Sequence, residues 1–300
     1  MNAARNALPA VRGELLVNEP LSRHTSWRVG GPARQFFKPA DADDLAEFLA
    51  ALEPEVPLCW VGLGSNLLMR DGGFDGVVIS TLGAFGDIER LDDTHVRAGA
   101  SVACAQLARR CARLELGPSA FFAGIPGTVG GALAMNAGAF GGETWSRVES
   151  VDVIDRAGVR RRRQPDEYVI GYRSVQPPVA GEWFLGADFV FETGVTGGRD
   201  DIRELLAKRK ATQPMGLPSC GSVFRNPPGD YAARLIESAG LKGLRIGGAE
   251  VSPKHANFII NTGDATAADI EELLVHVMDT VEQSAGIRLI PEVRIVGDAA

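Results

Sequence analysis

Ala123-Gly-Ile-Pro-Gly-Thr-Val-Gly-Gly-Ala132, followed at once by Met135-Asn-Ala-Gly-Ala-Phe-Gly-Gly142, is the stretch on which the fold turns. Small residues at 124, 127, 130, 131 and 132 remove side-chain bulk over a whole turn of backbone. Such a segment lets main chain lie against a flat or extended ligand, and it suits a helix start aimed at a diphosphate. Close packing of two elements would use the same residues. Upstream, the apolar strand Pro57-Leu-Cys-Trp-Val61 runs into a second glycine segment, Gly62-Leu-Gly-Ser-Asn66. That segment fits an anion-binding loop and a tight structural turn alike. Neither common phosphate fingerprint is present. Leu67 stands where a dinucleotide motif places its third glycine, and no Gly-Lys-Ser/Thr occurs.

The glycine excess is local. Of 36 glycines in 300 residues, seven fall between Gly62 and Gly86 and eight between Gly117 and Gly142, so the rest of the chain is ordinary in this respect. A net charge of −7 argues against a nucleic-acid or anionic-membrane partner. The one basic run, Arg160-Arg-Arg-Arg163, has no interleaved aromatics and reads as a solvated strand end or turn. The four cysteines form no CxxC and no zinc-spaced cluster, so no metal is expected. Cys104 and Cys111 share a helix face as buried small hydrophobes of a reduced protein. Residues 1–16 lack a signal-peptide core, and nothing approaches a ~20-residue apolar span. The expectation is a cytoplasmic protein with no membrane or obligate protein partner.

Helices are expected over 41–52, 102–114, 200–211, 231–239 and 266–285. The last is marked by the capping box Thr266/Asp269 and by the stripe Ile270, Leu273, Leu274, Val277, Met278 and Val281. Strands are expected over 57–61, 76–80, 95–98, 148–155, 183–192, 256–260 and 287–296. The linker-like Thr193–Gly198 separates a first unit with glycine loops from a smaller α/β unit. The tail 297–300 is expected to be disordered.

Several segments together resemble the UDP-N-acetylenolpyruvoylglucosamine reductases. They are His24-Thr-Ser-Trp-Arg-Val-Gly-Gly31, the two glycine loops, Gly171-Tyr-Arg-Ser174, Ser219-Cys-Gly-Ser-Val-Phe-Arg-Asn-Pro227, Val251-Ser-Pro-Lys-His-Ala-Asn-Phe258 and Pro291-Glu-Val-Arg294. They follow in that family's order over nearly the whole chain. His24 and Trp27 replace the family's commoner Asn and Phe, and Leu63 its commoner Gly. The resemblance implies an α+β fold: a vanillyl-alcohol-oxidase-type FAD-binding module of two α/β subdomains plus a small C-terminal α/β substrate domain. The implied division is an N-terminal extension over 1–22, an FAD-binding domain over 23–192 split near 71–76, a UDP-sugar domain over 199–290, and a final strand and tail over 291–300. The short connection between Arg173 and Ser222 resembles the subclass without an added substrate-covering loop.

The reaction implied is ping-pong. NADPH reduces non-covalently bound FAD, then hydride from flavin N5 and a proton from Ser222 convert UDP-N-acetylenolpyruvoylglucosamine to UDP-N-acetylmuramate for peptidoglycan. Arg173 would hold the substrate carboxylate. Glu292 would stabilise the charge developing beside it, and its own pKa would rise next to that second carboxyl. On residues alone, Arg173 is more often a surface ion-pair member, Ser222 a turn serine and Glu292 a solvent-facing strand carboxylate. Cofactor contacts are expected from Gly62, Gly64, Ser65, Asn66, Gly124, Ile125, Gly127, Thr128, Gly130, Gly131, Asn136 and Gly138. Substrate contacts are expected from Tyr172, Asn226, Lys254 and His255, the last two pointing to opposite faces of a strand end. Phe140 and Trp145 would either stack on a ring or pack. The competing readings are an FAD-linked oxidase on the same module and a non-catalytic flavin or sugar-nucleotide-binding regulator.

Overall fold

The structure, a computed structural model, describes residues 11–196 and 198–300. Its first layer is built from β1 (Glu14–Pro20), β2 (Pro32–Lys38), α1 (Ala42–Ala51), β3 (Leu58–Val61) and β5 (Phe74–Ser80), with the short β4 (Leu67–Met69) beside it. The sheet order is β1-β2-β5-β3, with β1 antiparallel and the others parallel. Asp41 starts α1 by accepting hydrogen bonds from the Asp43 and Asp44 backbone N–H groups. Leu45, Phe48 and Leu49 then face one way and are buried against the sheet, Phe48 stacking on Phe37 at 4.0 Å. Residues 14–20 therefore belong to the sheet and not to an extension. Those before 11 lie outside the described residues.

The second layer is an antiparallel sheet of order β11-β10-β14-β7-β6, from β6 (Ile88–Arg90), β7 (His95–Gly99), β10 (Val148–Asp155), β11 (Arg160–Arg163) and β14 (Glu182–Val190). It is covered by α2 (Cys104–Arg113) and α3 (Val129–Met135). Cys104, Leu107, Ala108 and Cys111 form the buried face of α2, as their spacing predicts. All four cysteines are free and buried. Two hairpins, β8 (Gly138–Ala139) with β9 (Gly142–Glu143) and β12 (Val169–Gly171) with β13 (Ser174–Gln176), project from this unit.

The arginine run is strand β11, and its charge is matched. Arg160 pairs with Asp43, Arg161 with Asp155, Arg162 with Asp188 and Arg163 with Glu182. Asp188, only 2% exposed, also pairs with Arg97 at 2.7 Å. An acidic partner for each arginine leaves no basic patch.

The third unit holds α5 (Ala232–Ser238), β15 (Arg245–Ile246), β16 (Ala249–Val251), β17 (Ile259–Asn261) and α6 (Ala267–Ala285), and α4 (Gly198–Thr212) precedes it in the chain. The Thr266/Asp269 box caps α6, and Gly286, at φ 67°, ends it. Its stripe buries Ile270, Leu273, Leu274, Val277 and Val281, each contributing about 1.5–3 kcal/mol. By contrast α4 buries Ile202 in the core of the second layer, against α2, so it belongs physically to that unit.

Two ties bind the C-terminal unit to the first layer. Fully buried Trp27 donates its indole N–H to the Ile259 carbonyl at 2.8 Å and accepts at its own carbonyl from Asn261. The last strand is shorter than expected, β18 (Arg294–Val296), and runs parallel to β4. The tail is not loose at its start: Asp298 exchanges backbone hydrogen bonds with Gly72 and Gly73.

Candidate active site

The three units meet around a cavity of about 440 Å³. Its floor is the two glycine loops. Of the twelve residues expected there, all but Gly130 and Asn136 line it. Glycine is required at several points. A Cβ on Gly62 would stand 2.6 Å from Thr128 Oγ1, one on Gly124 would stand 2.5 Å from the Phe140 ring, and Gly64 holds φ 59° against the His24 carbonyl. At Gly127 and Gly131 a Cβ would approach only Ser65 Oγ, at 3.3 Å, and Thr128 Oγ1, at 3.8 Å, so their bare backbone opens to the cavity. A second cavity of about 450 Å³, reaching Trp183 and Tyr168, shares Trp60, Gly62, Thr128, Gly131 and Arg294 with the first and includes Gly130. The pair forms one elongated channel with glycine backbone at its middle. The buried Tyr168 hydroxyl and Trp60 indole N–H have no hydrogen-bond partner among the described residues. These features fit a dinucleotide such as FAD: an extended body, a diphosphate beside backbone N–H groups, and polar atoms awaiting a ligand.

Asn136 serves the site from behind. Fully buried and left-handed at φ 47°, it ends α3. Its amide donates to Glu143 at 2.9 Å and to the Gly171 carbonyl at 3.1 Å, and its Oδ1 accepts from the Trp145 N–H. It thereby fixes the β12–β13 hairpin, whose two-residue turn carries Arg173. Arg173 also holds a positive φ, 52°, at a cost of roughly 1–2 kcal/mol for a non-glycine residue. Its guanidinium donates to the carbonyls of Asn136 at 3.2 Å and Gly138 at 2.9 Å. Nε lies 3.0 Å from Glu292 Oε1, out of line for a hydrogen bond and so a contact of charges.

Glu292 and Ser222 are neighbours across a short antiparallel pairing. Glu292 N–H donates to the Val223 carbonyl at 2.8 Å, and Arg225 N–H to the Ile290 carbonyl at 2.9 Å. Asn66 Nδ2 donates to the Glu292 carbonyl at 3.0 Å. Burial raises the Glu292 pKa, and the positive charges of Arg173 and Arg225 only partly oppose it. Arg173, Ser222 and Glu292 thus face one cavity from three separate segments. Cys220 lies beside them, but burial and the Glu292 charge push its thiol well up, away from the thiolate form that a nucleophile needs.

Four expected contacts are not brought in. Tyr172 is exposed, with the Arg173 guanidinium over its ring at 5.1 Å. Asn226 accepts from Ala232 N–H at the start of α5. Lys254 donates to the Lys210 carbonyl. His255 lies edge-on to Phe258, and burial lowers its pKa. Residues 252–258 form a closed turn and not an alternating strand end, because Ser252 Oγ accepts from both the Lys254 and His255 N–H groups. Trp145 packs in the core and donates to the Leu133 carbonyl, whereas half-exposed Phe140 stands at the cavity wall.

The lining also contains residues that sequence reading missed. Arg209 from α4 and Gln213 just past its end are joined by a 2.7 Å hydrogen bond. Arg209 is half-buried, desolvation lowers its pKa, and among the described residues no carboxylate pairs with it. Arg294, in the last motif, borders both cavities, and Phe258 backs the first. Nothing on the charged helix α4 marks Arg209 in advance. Only its burial does.

Residues 33–162 match the FAD binding domain family, and residues 213–296 match the C-terminal domain family of UDP-N-acetylenolpyruvoylglucosamine reductase. The UDP-N-acetylenolpyruvoylglucosamine reductase of Methylococcus capsulatus is 57% identical over 299 residues, covering 99% of this chain and 98% of that one. That of Alkalilimnicola ehrlichii is 57% identical over 300 residues, covering 100% and 99%. The crystal structure of the Thermus caldophilus enzyme superposes with a TM-score of 0.79 at 33% identity, covering 95% of this chain and 99% of that one. The α+β architecture, an FAD-binding module followed by a small C-terminal domain, is accordingly shared. With such identity along the full length of both relatives, the chain belongs to the UDP-N-acetylenolpyruvoylglucosamine reductase family.

Proposed function

We propose that Arg173, Ser222 and Glu292 bind, polarise and protonate the enolpyruvyl ether of UDP-N-acetylenolpyruvoylglucosamine as it is reduced to UDP-N-acetylmuramate, in the second half of a ping-pong reaction whose first half consumes NADPH. The observation that carries this reading is the convergence of these three side chains on one cavity floored by cofactor-type glycine loops. FAD, bound without a covalent tether, would supply the two-electron relay between nicotinamide and substrate. Backbone at Gly127 and Gly131 and the cation of Arg294 would hold its diphosphate. The cysteines lining the channel, Cys59 and Cys220, are buried thiols with raised pKa values, poor candidates for tethering it.

As the enolpyruvyl group gains hydride at its terminal carbon, negative charge develops on the adjacent carbon and spreads into the carboxylate. Arg173, fixed by two carbonyls, is placed to hold that carboxylate. Ser222 is placed to protonate the carbon. Its hydroxyl is a weak acid, so the developing carbanion must drive the transfer. Glu292, raised by burial, is the group that can share a proton with the substrate carboxyl and limit charge build-up. The reading requires no nucleic-acid, membrane or protein partner and places the reaction in the cytoplasm. No helix among the described residues is long and apolar enough to cross a membrane.

Anaerobic rapid mixing tests it. In Ser222→Ala, NADPH should bleach the yellow protein at its normal rate, while recovery of colour with the enolpyruvyl sugar nucleotide should slow by about 10²–10⁴-fold, the range for loss of a general acid. Normal recovery would remove Ser222 from the reaction.

A further inference from the structure

The structure assigns Asn257 as the positioning residue of the Ser222 loop. Asn257 is 3% exposed and lies outside the cavity lining. Its polar groups are directed at the two residues that follow Ser222. Nδ2 donates to the Phe224 carbonyl at 2.8 Å, Oδ1 accepts from the Phe224 N–H at 3.0 Å, and its own carbonyl accepts from the Val223 N–H at 3.0 Å. The side chain therefore imitates a neighbouring strand, taking both backbone groups of Phe224 across 33 residues of sequence.

The Ser222 loop has need of such a splint. Residues 219–224 form no regular element, and Gly221 before the serine holds φ 82°. On one side the loop is tied to the Glu292 segment through Val223 and Arg225. Asn257 is the tie on the other side. It stands on a rigid base, because the Ser252 N–H donates to the Phe258 carbonyl and the Phe258 N–H to the His255 carbonyl, closing the turn. The next residue, Phe258, reaches the cavity wall. A hydroxyl that must meet one carbon of a bound substrate depends on sub-ångström placement, and Asn257 supplies it from the side facing away from Glu292.

The inference rests on Ser222 as proton donor, so the test separates the two. Asn257→Asp keeps size and the acceptor for Phe224 N–H but turns a carboxylate oxygen toward the Phe224 carbonyl. In the FAD-loaded enzyme we expect flavin reduction by NADPH to stay within twofold and re-oxidation by the enolpyruvyl sugar nucleotide to fall at least tenfold. Amide hydrogen exchange at 223–224 should rise at least tenfold while α6 keeps its protection, which shows that the fold persists. In a Ser222→Ala background, Asn257→Asp should cause no further loss, since the residue acts through the serine. Asn257→Ala should repeat the pattern more severely. An additive loss in the double variant, equal slowing of both half-reactions, or a normal Asn257→Asp rate beside a slow Ser222→Ala would overturn the inference. A normal Ser222→Ala rate would instead overturn the functional reading beneath it.

Discussion

The side-chain amide of Asn66 donates to the main-chain carbonyl of Glu292 across 3.0 Å, although the two residues are 226 apart in sequence. The Asn66 carbonyl in turn accepts from the Arg294 N–H. The first glycine loop and the segment that carries Glu292 into the last strand are thus one mechanical piece, and whatever orders the loop orders Glu292. Asn66→Ala removes a half-buried hydrogen bond worth about 1 kcal/mol. We expect roughly fivefold weaker FAD retention by equilibrium dialysis, with slower re-oxidation by the sugar nucleotide than reduction by NADPH. Equal effects on the two half-reactions would show that the loop and Glu292 are not coupled.

Glu292 itself makes a prediction about pH. Burial raises its pKa above the ordinary 4.5 in the folded chain. A raised carboxyl means that the folded state binds its proton more tightly than the unfolded state does. That contribution to stability is full below the unfolded pKa and is lost as pH rises through the folded one. Glu292→Gln should therefore melt above the parent protein at neutral pH, with the gap closing as pH falls toward 4, while re-oxidation of the reduced enzyme is crippled. A parent more stable than the variant at neutral pH would mean that the Arg173 contact outweighs burial.

Sequence reading succeeded where the controlling interactions are local. The Thr266/Asp269 box, the α6 stripe and the glycine loops each lie within a few residues of what they control. It failed where the partner is distant. Strand β1 exposes Val17 and shows no clean alternation, because its face is set by pairing with β2. Strand β11, read as a solvated strand end or turn, is an exposed strand paired with β10, but the distant Asp43, Asp188 and Glu182 that match its arginines have no local signature. In the site, the motif residues Arg173, Ser222 and Glu292 were legible as a family pattern, yet the side chains that hold them, Asn136 and Asn257, were not. An asparagine facing a carbonyl thirty residues away has no local signature.

The core offers a quantitative check. Leu273 of α6 is fully buried among the side chains of the C-terminal unit, which also encloses Trp27. Leu273→Ala should cost about 2–5 kcal/mol. Because Trp27 carries the N-terminal contact to Ile259, chemical denaturation followed by tryptophan fluorescence and by flavin release should shift together. Separate transitions would show that the C-terminal unit unfolds on its own.

Arg173 sits at the tip of a two-residue turn in a left-handed conformation, held by carbonyls of Asn136 and Gly138 and by the charge of Glu292. Lysine has a single nitrogen in place of the planar fork, whose three separate nitrogens face the Asn136 carbonyl, the Gly138 carbonyl and Glu292. Arg173→Lys should slow re-oxidation by about 10²-fold, the scale of one lost oxyanion donor, with flavin reduction little changed. An effect confined to FAD binding would place Arg173 in the cofactor cradle and not at the reacting carboxylate.

Arg209, like Arg294, is a cation of the cavity with no carboxylate paired to it among the described residues, and desolvation already works against the charge of Arg209. A half-buried guanidinium in that condition is stabilised by whatever anion fills the cavity, and both substrates of the ping-pong reaction carry phosphates. The two differ in when they arrive, so the half-reactions tell them apart. If Arg209 meets the diphosphate of the sugar nucleotide, Arg209→Gln should raise its KM about tenfold with kcat nearly unchanged, the signature of binding lost equally in ground and transition states. The KM for NADPH should not move, and the variant should gain thermal stability in the absence of ligand, because a charge that burial disfavours has been removed. A rise confined to the NADPH KM would assign Arg209 to the nicotinamide nucleotide, and a fall in kcat alone would bring it into the chemistry.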